Sequence, residues 1–160
     1  MHNQVIADTG VLIALIDRFD HHHNWVVEQL KQITLIALID RFDHHHNWVV
    51  EQLKQITPPL LTCEAVISES WFLLQRVKNG RETLIQLLTQ KYVVVQFDLD
   101  AELETVLTLL NRYQSVPVSL ADAELVRMSE LCPNSLIFTL DSDFHIYRKN
   151  RDRPIPILMP

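Results

Sequence analysis

Residues 12–34 read LIALIDRFDHHHNWVVEQLKQIT, and residues 35–57 repeat them letter for letter. This exact tandem copy constrains the fold more than any other feature of the chain. Repeat architectures drift between units and need about three or more units to bury a shared core. Two identical copies point instead to a recent duplication, natural or engineered. The chain of 160 residues less one 23-residue copy leaves 137, a comfortable size for one domain. The second copy therefore reads as an insertion within a single domain spanning residues 1–160.

Each copy holds two helical patterns. Leu-Ile-Ala-Leu-Ile forms a short apolar helix, and Asp20 or Asp43 can cap the next one. That next helix carries Trp25, Val26, Leu30 and Ile33 in copy one and Trp48, Val49, Leu53 and Ile56 in copy two, an apolar face at helical period. Pro58-Pro59 stops copy two. Copy one has no such stop, so a continuous helix is expected from about His22 to Ile39, and a break at Thr34 would contradict it. Only one copy can fill the slot between the first and second strands, and identical copies leave the register degenerate. Lengthening a loop costs little. The displaced apolar face, however, favours association or swapping.

Four acids lie far apart in sequence, where strands end or helices begin. Asp8 closes Val5-Ile6-Ala7, and Glu69 lies in Ser68-Glu69-Ser70-Trp71-Phe72. Asp122 opens Ala121-Asp122-Ala123-Glu124, and Asp141 ends Leu136-Ile137-Phe138-Thr139-Leu140, with Asp143 two residues on. Any one of them is most simply a cap or a solvated turn, and Asp122 would cap a helix well. The set of four argues for more. Strands alternate with helices along the chain, which implies an α/β class: a three-layer α/β/α sandwich on a mostly parallel sheet. Ligands of such sheets bind at the carboxyl ends of the strands, where these acids could converge. Converged carboxylates repel and need a cation or protons. Oxygen-only ligands suit Mg²⁺ or Mn²⁺, and metal-assisted phosphodiester hydrolysis fits best.

Asp8-Thr9, Glu69 in a helix after a short strand, Ala121-Asp122-Ala123, and Thr139-Leu140-Asp141-Ser142-Asp143-Phe144 together resemble the PIN-domain family of small metal-dependent nucleases. Many of those are VapC-like toxins of bacterial toxin–antitoxin pairs. The resemblance runs from Val5 to Leu158, and its most specific part is the Thr-x-Asp-x-Asp-Phe ending. The family usually has Ser or Asn after Asp-Thr, where this chain has Gly10. Glu64 competes for the second acidic position; Glu69 lies one helical turn further in and is preferred. The resemblance implies Asp8, Glu69, Asp122 and Asp141 as catalytic residues. It implies Asp8, Asp122, Asp141 and Asp143 as ligands of Mg²⁺ or Mn²⁺. Thr9, Thr139 and Arg148 would orient ligands or hold substrate. RNA is the implied substrate and an antitoxin protein a partner. Aspartyl-phosphate chemistry fits less well, because Asp8 lacks a second Asp two residues on. A protein that binds RNA or an antitoxin without cleaving is the alternative.

A net charge of −6 does not announce a nucleic-acid binder. Two basic groups, Arg76-Lys78-Arg81 and Arg148-Lys149-Arg151-Arg153, could hold phosphates or simply form solvated surface. Tyr147 could stack on a base, though packing is the commoner role. Three adjacent His on a helix cannot converge on one ion, so His21–His23 and His44–His46 read as solvent-facing. Cys63 and Cys132 form neither a disulfide framework nor a zinc pattern, and suit reduced thiols in a cytoplasmic protein. The opening Met1-His2-Asn3-Gln4 lacks signal-peptide character, and no apolar run approaches a membrane span. A homodimer or larger assembly through the duplicated helix is expected. Size-exclusion chromatography should show it, and a purely monomeric profile would contradict it.

Overall fold

The computed structural model describes residues 4–16 and 44–160. The expected helix from about His22 to Ile39 and the run His21–His23 lie outside the described residues.

Val5, Ile6 and Ala7 form β1, buried on both faces. An uninterrupted apolar run without alternation is what a strand covered on both sides requires. β2 (Leu60–Thr62), β3 (Val93–Val95), β4 (Leu136–Phe138) and β7 (Ile157–Leu158) complete a five-stranded sheet in the order β3-β2-β1-β4-β7. Each neighbouring pair is parallel. Registration is set at the centre by Ile6 opposite Leu61 on one side and Ile137 on the other.

Six helices are described: α1 (Thr9–Ile16), α2 (His44–Leu53), α3 (Glu64–Leu73), α4 (Gly80–Thr89), α5 (Leu99–Arg112) and α6 (Leu120–Leu131). The strand order runs one way from β1 to β3, then returns past β1 to β4. Right-handed crossovers then assign α1 to α4 to one face and α5 and α6 to the other, a three-layer α/β/α sandwich. The reversal lies between β1 and β4, so a crevice opens at their carboxyl ends. Arg127 clamps the second helical layer, with Nε 2.7 Å from Glu102 and Nη1 2.8 Å from Glu130.

The slot between β1 and β2 is filled by both copies of the repeat. Copy one supplies Leu12–Ile16 of α1, and copy two supplies α2. Val49 and Leu53 of α2 are buried, and Trp48 meets Phe138 edge-on with ring centroids 5.5 Å apart. His46 is half-buried rather than turned to solvent. Its Nδ1 lies 2.7 Å from the Ala14 carbonyl and donates to it, which ties α2 to α1.

α3 stops at Leu73 and tightens into a 3₁₀ turn at Leu74–Arg76. Asp98 caps α5, its side chain accepting from the Ala101 N–H at 3.2 Å. The last strand lies at the sheet edge, where its flanking prolines cost no ladder bonds. The basic segment near the end is a two-stranded antiparallel hairpin, β5 (Arg148–Lys149) with β6 (Arg153–Pro154).

Phe138 joins the two halves of the core, since it is fully buried, belongs to β4 and packs on Trp48. Phe138→Ala should lower unfolding stability by about 3–5 kcal/mol. Urea titration followed by circular dichroism measures this, and a loss under about 1 kcal/mol would contradict the packing described.

Candidate functional site

Asp8 follows β1, and its backbone N–H continues the ladder to the Phe138 carbonyl at 3.0 Å. Its side chain is buried at the reversal point of the sheet. Oδ1 accepts from the Thr9 N–H at 2.5 Å, and Oδ2 accepts from the Thr139 hydroxyl at 2.6 Å. Thr139 lies just after β4, so this bond spans the crevice between the two central strands. The same Thr139 oxygen accepts from the Asp141 N–H at 2.9 Å, and Asp141 Oδ1 accepts from the Asp143 N–H at 2.8 Å. The Thr9 hydroxyl donates to Glu69 Oε2 at 2.9 Å. A continuous series of short contacts thus links Glu69, Thr9, Asp8, Thr139, Asp141 and Asp143.

Asp122 reaches the group from the other helical layer. Ser119 caps α6, and Asp122 is its reciprocal partner: Asp122 Oδ2 accepts from Ser119 N–H at 2.8 Å, and Ser119 Oγ accepts from Asp122 N–H at 3.1 Å. The bland expectation and the functional one meet here. Asp122 does serve a helix start, from the third helical position rather than the cap itself, and it also lies within the field of the other acids.

The electrostatics record that convergence. Burial pushes the Asp8 carboxyl up to about 6; hydrogen bonds from Thr139 and Thr9 oppose this, and the charges of Asp122 and Asp141 add to it. Burial also raises Asp122, and Asp141 and Asp143 raise it further. Tyr147 is buried behind the cluster, edge-on to Tyr113 and Phe144. Its hydroxyl has no hydrogen-bond partner among the described residues, and burial with the charges of Asp122, Asp143 and Asp141 pushes its pKa up. In sequence Tyr147 signalled packing or base stacking; its place against three carboxylates depends on long-range contacts that no local pattern encodes.

A second acidic group borders the first. Glu124 is buried on α6 and takes hydrogen bonds from the Cys63 thiol and the Ala65 N–H, while its Oε2 has no partner among the described residues. Burial raises its pKa, and the charges of Glu64 and Glu69 add to the rise. A cavity of about 600 Å³ opens beside it, lined by Glu64, Asp98 and Glu124 among others. Sequence reading did not single out Glu124, although its place two residues after Asp122 was visible.

The basic residues are less free than their sequence suggested. Arg148 Nη1 donates to the carbonyls of His145, Ile146 and Tyr147 at 2.6, 3.0 and 2.8 Å. Lys149 is buried, with Nζ 3.4 Å from the Pro133 carbonyl. Arg81 lies over the Trp71 ring, 4.7 Å from its centroid. Cys63 and Cys132 are free thiols.

The donor chemistry of Asp8, Asp122, Asp141 and Asp143 fits a hard divalent cation. All are carboxylates, and the charges of Asp122 and Asp141 raise the proton affinity of Asp8. Among the described residues, though, no three His, Cys, Asp or Glu side chains are gathered as a ready ligand set. Both Asp8 oxygens are engaged by threonines, and one Asp122 oxygen by Ser119. Among the described residues no helix is long and apolar enough to cross a membrane. No protein-family model matches the chain, and no curated protein matches it.

An acid whose pKa is raised on folding favours the folded state while it is protonated. Its contribution is complete below the unfolded value of 3.8 and is lost as pH rises through about 6. For Asp8 this amounts to about 3 kcal/mol. Asp8→Asn should therefore gain stability relative to the parent between pH 4 and pH 7 in metal-free buffer. Urea unfolding across that range tests it, and parallel profiles would contradict the burial of Asp8 charge.

Proposed function

We propose that the chain is a metal-dependent endoribonuclease of the PIN type, using Mg²⁺ or Mn²⁺ at Asp8, Asp122 and Asp141, with Asp143 as an auxiliary ligand. The observation that carries this reading is the shared field of acids from three separate parts of the chain, Asp8, Asp122 and the pair Asp141 and Asp143, at the reversal point of a parallel sheet. A structural role alone does not call for a buried Asp8 whose proton affinity the charges of Asp122 and Asp141 raise further. A bound cation offsets that repulsion and supplies a water of lowered pKa for attack on a phosphodiester.

The chain's own residues prepare the site in specific ways. Thr139 and the Thr9 N–H fix the two oxygens of Asp8. The Thr9 hydroxyl holds the exposed Glu69 toward the cluster. Ser119 fixes Asp122 at the start of α6. In this reading the threonines orient acids, where the sequence alone left open whether they orient ligands or phosphate. Arg148, tied to its own loop through Nη1, would hold a phosphate only through its remaining donors. Trp71, Phe72 and Leu73 are exposed in succession at the end of α3 and support association with a second copy or an antitoxin.

A second reading is favoured by one observation. Among the described residues no three acids are gathered as ligands, which favours a chain that binds RNA or an antitoxin without cleaving. Calorimetric titration with Mn²⁺ and cleavage of a labelled RNA, on the parent and on Asp8→Asn, separate the two. The nuclease reading expects Mn²⁺ binding and cleavage in the parent, and a fall of at least a hundred-fold in the folded Asp8→Asn protein. Cleavage retained by Asp8→Asn would sink the assignment, and RNA binding without Mn²⁺ binding would favour the second reading.

A further inference from the structure

Glu64 follows β2 and Phe97 follows β3, so the cavity of about 600 Å³ that both residues line lies beyond the carboxyl ends of those two strands. Glu64 at the start of α3, Asp98 at the cap of α5 and Glu124 on α6 supply its acids, and Phe97, Leu99 and Leu120 its apolar walls. None of Asp8, Asp122, Asp141 or Asp143 lines it, and among the described residues neither does any Lys, Arg or His. We propose that this cavity binds a linear aliphatic polyamine, a free small-molecule cation whose ammonium groups meet the three carboxylates and whose methylene stems lie on the apolar walls.

Glu124 is the decisive residue. Glu64 and Asp98 have a structural reason to be acidic, because each stands at a helix start, where negative charge is stabilised. Glu124 lies past the first turn of α6, beyond the reach of that effect. Only 1 % of it is exposed. Its donors are the Cys63 thiol and the Ala65 N–H, and its Oε2 has no partner among the described residues. A buried carboxyl oxygen without a donor is unfavourable. Glu124 forms part of the cavity wall, and an ammonium lodged against that wall supplies the missing donor.

The three carboxylates do not suit a single metal ion, since among the described residues no three His, Cys, Asp or Glu gather closely enough to hold one. Acids set apart from one another suit a cation whose charges are spread along a chain. The apolar walls beside them suit methylene groups, which cover apolar surface while the charged ends stay at polar partners. The volume falls in the range of small-molecule pockets, roughly 300–1,000 Å³. Such a site lies outside the proposed nuclease centre and does not depend on it.

The test is isothermal calorimetry of the full chain with spermidine, at about 0.15 M salt so that diffuse attraction is screened. One saturable site is expected. Glu124→Gln keeps the shape and an acceptor for Cys63 and Ala65 but removes the charge, and should weaken binding about ten-fold or more. Ser68→Trp keeps every carboxylate but fills the cavity from an exposed position in its lining, and should abolish binding. Circular dichroism establishes that each variant is folded, and Ser68→Trp decides alone if Glu124→Gln is not. Asp8→Asn should bind spermidine as the parent does. Nα-acetyl-lysinamide, with one ammonium on a similar stem, should bind about ten-fold or more weakly than spermidine. No spermidine binding by the parent, or affinity undiminished in Glu124→Gln or Ser68→Trp, would overturn the proposal. Equal binding of the lysine amide would overturn it in favour of a single basic side chain. Loss of spermidine binding in Asp8→Asn would assign the cation to the Asp8 cluster and overturn it too. Absence of Mn²⁺ binding beside the expected spermidine pattern would count against the nuclease reading alone.

Discussion

The structure depends on a buried carboxylate held between two parallel strands. Asp8 ends β1, Thr139 follows β4, and their 2.6 Å hydrogen bond closes the crevice where the winding of the sheet reverses. Burying that charge is unfavourable, as the rise of Asp8 to about 6 shows. Two short hydrogen bonds offset part of the cost. The neighbouring Asp122 and Asp141 increase it. A fold selected for stability alone would place an amide or an apolar residue there. The surrounding arrangement, with Thr9 reaching Glu69 and Thr139 reaching Asp141, spends polar contacts on holding acids together.

Much of this was legible in the sequence. Val5-Ile6-Ala7 and Leu136-Ile137-Phe138 read as strands because both are apolar without alternation, and central parallel strands demand that. Asp122 announced a helix start through the chemistry of capping, although Ser119 is the cap and Asp122 its reciprocal partner at the third helical position. Asp8 and Asp141 lie toward one edge because every carboxyl end of a parallel sheet reaches it, while Asp122 acts on them from the start of α6. Other features were not legible because they depend on tertiary contacts. The hydrogen bond from Thr139 to Asp8 crosses most of the chain. Arg148 looked like a phosphate ligand, but folding its loop back placed three carbonyls within reach of Nη1. Glu124 became notable only when packing buried it beside Cys63. The antiparallel hairpin at Arg148–Pro154 was hidden by its charge, which reads locally as solvated loop.

The duplicated segment separates what the fold needs from what the chain carries. A slot beside α1 needs one amphipathic helix with Trp, Val and Leu at helical spacing. The sequence carries that pattern twice, and the helix described in the slot is that of copy two. The acidic site lies outside both copies, upstream and downstream. The duplication thus lengthens the chain between α1 and β2 while leaving the groups of the proposed chemistry outside it.

The central claim is that Asp8 is a buried acid poised for a cation. Its most direct test is a carboxyl-carbon NMR titration of aspartate-labelled protein, with and without Mg²⁺. The account predicts a midpoint for Asp8 near 6 in metal-free buffer, displaced well downward when Mg²⁺ is added. A midpoint in the ordinary aspartate range near 3.9, or one that Mg²⁺ leaves unmoved, would contradict it.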